Sequence, residues 1–122
     1  MIEKNVRNSM LYDFYSQLLT KRQRDIFELY YHHDLSLGEI AQEYDISRQA
    51  VYDTIKRTEN ILFDYENKLK LHYLFEMKKN NIEDIKNKVL LLENMIESDA
   101  TKEELKKEID SIKLLFDKWL SD

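Results

Sequence analysis

The run from Leu35 to Arg57 constrains this chain more than any other stretch, because its residue types suit two short helices crossing over a tight turn. Where two such helices touch, only a very small side chain fits, and Ala41 supplies it. Their inner faces need apolar residues. Ile40 and Tyr44 stand before the turn, Ile46 just after it, and Val51 and Ile55 on the second helix. The turn itself favours a residue that tolerates positive φ, and Asp45 is of the kind that does. Ser47 is then a natural N-cap, its hydroxyl accepting from a free backbone N–H of the second helix. Together these features predict a helix-turn-helix, the motif that puts its second helix into a DNA major groove.

The rest of the chain reads as helix as well. One Gly and no Pro in 122 residues leave almost no helix breakers, and no run alternates with a period of two. The fold class expected is all-α. Met10, Leu11, Phe14, Tyr15, Leu18 and Leu19 form the apolar face of a first helix over residues 5–19. Thr20 with Gln23 makes a capping box that opens a second helix, with Ile26, Phe27, Leu29 and Tyr30 inward. Ser36 with Glu39 makes another for the first helix of the motif.

From Val51 the apolar seam Val51, Ile55, Thr58, Leu62, Tyr65, Leu69 and His72 keeps a strict seven-residue repeat. The second helix of the motif is therefore expected to continue to about Lys78, with Asn80-Asn81 as the next break. Between Leu69 and Met77 apolar residues occupy more than one face, so that region should be covered by the C-terminal helices or by a second subunit. Beyond the break, Ile82, Ile85, Val89, Leu92 and Ile96 form one stripe. After a loop at residues 97–100, Thr101 and Glu104 cap a helix that carries Leu105, Ile109, Ile112, Phe116 and Trp119. Two equal stripes joined by a short loop predict an antiparallel helical hairpin. The expected organisation is a helix-turn-helix domain with a long continuing helix at 1–78 and the hairpin at 79–122.

Charge bears on function. Residues 1–61 carry 8 Lys/Arg against 10 Asp/Glu and residues 62–122 carry 11 against 14, a net charge of −5. Neutralising phosphates supplies most of a nucleic-acid binder's affinity, so an acidic total argues against tight, sequence-indifferent binding while allowing a local basic face. On the outer face of the second motif helix, Arg48 and Gln49 offer donors suited to base edges, and Lys56 and Arg57 can hold phosphates. Tyr52 and Asp53 share that face. Lys21, Arg22 and Arg24 form a second cationic cluster in the first turn of the second helix. The competing reading of both clusters is a solvated surface, with Asp53 paired within the chain.

Other chemistries find little support. The chain has no cysteine, which excludes thiolate metal sites and disulfides and fits a reducing cytoplasm. The pair His32-His33 cannot readily share an ion, since neighbouring helix residues point about 100° apart. His72, on an apolar seam, reads as a packed histidine. No nucleophile–base constellation or phosphate-cradling glycine loop is visible, so no enzyme and no cofactor are expected. Neither a signal peptide nor a membrane-length apolar stretch stands out.

With these residues in view, the chain resembles YlxM, a family of small bacterial helix-turn-helix proteins related in their motif to region four of sigma factors. Leu19 to Arg24, Leu29-Tyr30-Tyr31, Ser36 to Ala41 and above all Ile46 to Glu59 carry the resemblance, which continues through Leu62, Asp64, Tyr65, Glu66 and Leu69 and covers roughly the first 75 residues. It implies a cytoplasmic protein with a regulatory part in the signal recognition particle pathway. The sigma comparison implies an ancestral DNA-reading helix, with Arg48, Gln49, Tyr52, Asp53 and Lys56 outward. Too few residues precede Thr20 for a promoter-melting domain, so a complete sigma factor is not expected. The partners expected are a second copy of the chain, the signal recognition particle protein or its RNA, or DNA.

Overall fold

The computed structural model describes residues 4–121, and among them it shows six α-helices and no strand. They are α1 (Val6–Tyr15), α2 (Lys21–Tyr31), α3 (Leu37–Tyr44), α4 (Arg48–Leu69), α5 (Leu71–Glu97) and α6 (Lys102–Ser121). A single 3₁₀ turn, Ser16–Leu18, closes α1, so the first helix ends earlier than its apolar pattern suggests and leaves Leu18 exposed. The chain divides into two compact units, one ending at His72 and the other beginning at Tyr73.

In the first unit, local chemistry sets every boundary of the motif. The Thr20 and Ser36 side chains accept from the backbones of Gln23 and Glu39, and both reciprocal bonds are made, so both capping boxes are complete. Each satisfies two donors that a helix start otherwise leaves unpaired. Asp45 takes the left-handed conformation at φ 53°, ψ 47°, and Ser47 Oγ accepts from Ala50 N–H at 3.0 Å to start α4. Ile26, Tyr30, Leu37, Ile40, Ala41, Val51 and Ile55 form one core cluster under the motif. A second joins Leu11, Tyr12, Tyr15, Leu19, Phe27 and Leu62.

Three tyrosine–carboxylate pairs tie the helices of this unit to one another. Tyr12 donates to Glu28, joining α1 to α2, and Tyr31 donates to Glu59, joining α2 to α4. Tyr15 donates to Glu66 at 2.6 Å, joining α1 to α4. Burial first, and the adjoining carboxylate second, raise the pKa of all three phenols, that of Tyr31 to about 12. In the unfolded chain these phenols ionise near 10. The stabilisation they give is complete below pH 10 and is lost as pH rises toward about 12, because the unfolded state then releases protons that the folded state holds. Thermal melts across that window should show a melting temperature that begins to fall near pH 10, with a shallower fall in Tyr31→Phe. A flat profile would contradict the pairing.

The long second helix of the motif stops earlier than the seven-residue repeat predicts. It ends at Leu69, not near Lys78, because Lys70 adopts a left-handed conformation at φ 55°. An L-residue in that region costs roughly 1–2 kcal/mol. The break offsets this by satisfying the start of α5. Leu71 N–H donates to Tyr15 Oη at 3.0 Å, and His72 N–H donates to Glu66 Oε1 at 3.1 Å. Side chains from α1 and α4 thus serve the free N-terminal donors of the next helix. The His72 ring packs edge-on against Phe14, with centroids 5.7 Å apart.

In the second unit, α5 and α6 form the antiparallel hairpin, but its entry differs from the expectation. Asn80-Asn81 is no break: both residues lie inside α5, and Asn81 is buried, its Nδ2 donating to Leu115 O at 2.9 Å. The amide that reads as a helix stop holds the two helices together. Lys78 Nζ donates to Trp119 O at 3.0 Å and Lys88 Nζ lies 3.5 Å from Glu108 Oε1, contacts that run in opposite directions along the two helices. Thr101 Oγ1 accepts from Glu104 N–H to start α6.

Candidate nucleic-acid interface

The two sides of α4 have opposite fates. Val51, Ile55, Thr58 and Leu62 are fully buried. Arg48, Gln49, Asp53, Lys56 and Arg57 are exposed, and Tyr52 is half-buried. At about 100° per residue, positions 48, 49, 52, 53 and 56 fall within a sector of roughly 140°, with Arg57 about 40° beyond it. The candidates on α4 are therefore brought to one face, with Arg57 at its edge.

Within that face the polar groups are partly committed. Gln49 Nε2 donates to Asp53 Oδ1 at 2.9 Å, one helical turn apart. This is the internal pairing of Asp53 that the solvated-surface reading anticipates, and it draws on one of the donors a base edge would use. Lys56 Nζ stands 3.4 Å from Glu59 Oε1, beside the carboxylate that Tyr31 also addresses. Arg48, Gln49 and Tyr52, with Leu37 from the start of α3, line an open recess of about 510 Å³. Leu37 is mostly buried, and the edge it keeps in this recess is not singled out by the sequence. The only signal is that it directly follows the Ser36 cap, where the start of α3 meets the start of α4.

Lys21 and Arg22 stand on a different element. Lys21 Nζ lies 3.8 Å from Asp25 Oδ2, an i,i+4 pair of the kind worth a few tenths of a kcal/mol. The Arg22 guanidinium lies over the Tyr44 ring, 5.5 Å from its centroid, which fixes the start of α2 against the end of α3. Arg22 is tied into the motif's frame through Tyr44 and Lys21 is paired within α2, whereas the α4 candidates share one helix surface. Among the described residues no group of three or more His, Asp or Glu stands together as a metal site, and His32 packs edge-on to Tyr12.

This arrangement of a buried inner face, a left-handed turn at Asp45 and an exposed outer face is that of a helix-turn-helix. A family model described as "Putative helix-turn-helix protein, YlxM / p13 like", the UPF0122 family, matches residues 2–112. The chain belongs to the UPF0122 family. A UPF0122 protein of Geobacillus sp. (strain WCH70) is 54% identical over 90 residues, 74% of this chain and 82% of that one. Others from Halalkalibacterium halodurans and Bacillus mycoides (strain KBAB4) are 46% and 45% identical over 115 residues, 94% of this chain and 99% of each of theirs. The family match runs well past residue 75, where the resemblance visible in the sequence ends, and takes in all of α5 and the first half of α6. Among the described residues no helix is long and apolar enough to cross a membrane.

Proposed function

We propose that this UPF0122 protein is a regulatory helix-turn-helix protein of the cytoplasm that acts as a homodimer and binds DNA through the outer face of α4. The observation that carries the reading is the division of α4. One side is wholly committed to the core, while the other presents three cations, Arg48, Lys56 and Arg57, beside the donor-bearing Gln49 and Tyr52. Cations at a helix surface hold phosphates, and Arg and Gln can address base edges in a major groove. Lys21 and Arg22, the latter held over Tyr44 at the end of α3, are assigned to the flanking backbone.

A second reading, a regulatory part in the signal recognition particle pathway with the particle's protein or RNA as partner, is favoured by charge. The chain carries a net −5, and Asp53 lies among the cations of the proposed face. Both features weaken affinity for bare duplex DNA. Fluorescence anisotropy with a labelled DNA duplex, the particle's RNA and its labelled protein separates the two. In either case the double variant Arg48→Ala/Lys56→Ala should bind several-fold more weakly. With nucleic acid, loss of one phosphate contact should lower the slope of log affinity against log salt by roughly one. Tightest binding to DNA supports the first reading, and tightest binding to the particle's protein or RNA supports the second. Binding of none of the three would overturn both.

A further inference from the structure

The α5–α6 hairpin buries very little by itself. Of its residues only Asn81 and Ile85 are buried, and none on α6 is. Ile82, Val89 and Ile96, spaced by seven on α5, remain 50%, 42% and 61% exposed, and Ile109 and Phe116, also spaced by seven on α6, remain 41% and 46% exposed. A seven-residue spacing keeps each set in line along its helix. Ile82 and Phe116 line one apolar recess with Ile85 and Trp119, so the two lines share one side of the hairpin. The result is a continuous apolar face about 21 Å long, from 82 to 96 at roughly 1.5 Å per residue.

A two-helix unit of this size is far below what a single core supports, and small helical units usually complete themselves by association. The charge pattern names the partner. Along the α5 edge of this face run Lys79 and Lys86, then Glu93 and Glu97, all exposed. Basic at one end and acidic at the other, that edge is complementary to itself only when reversed.

We propose that this face is the contact between two copies of the chain, with α5 packed antiparallel to α5 of its partner about a two-fold axis at Val89. This rests on the homodimer reading above and gives it a surface other than the Leu69–Met77 patch. In this register Val89 meets its own copy, Ile82 meets the copy of Ile96, and Lys86 meets the copy of Glu93. In a parallel pairing this edge and its copy fall on opposite sides of the seam, so the Lys86–Glu93 contact is not made. The two hairpins make a four-helix bundle.

The chain has no cysteine, so single introduced thiols report the symmetry cleanly. Under oxidising conditions Val89→Cys should give a disulfide-linked dimer, while Leu90→Cys, about 100° around the helix, and Ile82→Cys should not. In sedimentation equilibrium of the full chain, Lys86→Glu should raise the dimer dissociation constant at least tenfold, and adding Glu93→Lys should restore it. Far-UV circular dichroism should be unchanged in each. A dimer that survives Lys86→Glu and Val89→Asp unweakened would overturn this surface and leave the homodimer standing on another. A monomer mass for the wild type would overturn both, and cross-linking of Ile82→Cys alone would overturn the antiparallel arrangement.

Discussion

Phe27→Ala should cost about 3–5 kcal/mol of folding free energy, the range for removing a large buried aromatic side chain. Phe27 is fully buried between two tyrosines, stacked on Tyr12 at 4.7 Å and on Tyr31 at 4.2 Å between ring centroids. Both neighbours also hold carboxylates, Glu28 and Glu59, so the ring supports two of the polar ties between helices. Removing it leaves a cavity that stiff aromatic neighbours cannot readily fill. Against a typical total of roughly 5–15 kcal/mol, that loss is a large share of stability. Urea denaturation should show the midpoint falling sharply with the slope retained. A midpoint change equivalent to less than about 1 kcal/mol would mean that this cluster is not the core of the unit.

The second large effect is expected at the crossing of α3 and α4. Ala41 is buried in the cluster that holds Ile26, Ile40, Val51 and Ile55, at the crossing of the two helices. Ala41→Leu should overpack the crossing and cost roughly 1–3 kcal/mol. By contrast, exposed Arg48→Ala should stay within about 0.5 kcal/mol of the parent. Thermal melts of the two variants side by side give the contrast directly. Equal melting temperatures would mean that α3 and α4 do not cross tightly at Ala41.

The parts legible in the sequence are those governed by local chemistry. A Thr or Ser three residues before Gln or Glu marks a helix start wherever it occurs, and the boxes at Thr20 and Ser36 are complete in the structure. Asp45 is legible for the same reason, since an aspartate tolerates the left-handed turn within its own residue. The end of α4 is not. Lys70 is an ordinary helix former, and its left-handed conformation is held by Tyr15, 55 positions earlier, and by Glu66, whose side chains serve the next helix. No periodicity reports such a contact. Asn81 misleads for the complementary reason: an asparagine competes with the helix only until its amide finds a partner, and here the partner is a carbonyl on α6. Of the candidate site, the outward face of α4 follows from the inward seam, so its members are readable by subtraction. The internal bond between Gln49 and Asp53, and the ring under Arg22, depend on rotamers that a residue pattern does not carry.

As proposed, α4 divides its labour, the inner side holding the fold and the outer side meeting the partner. Amide chemical-shift mapping tests it most directly, with the uniformly ¹⁵N-labelled full chain titrated by whichever of the three anisotropy probes it binds most tightly. The largest shifts are expected at Arg48, Gln49, Tyr52, Asp53 and Lys56, tapering through Arg57, with Val51 and Ile55 moving little. Shifts confined to residues 73–121, with α4 unmoved at saturation, would contradict it.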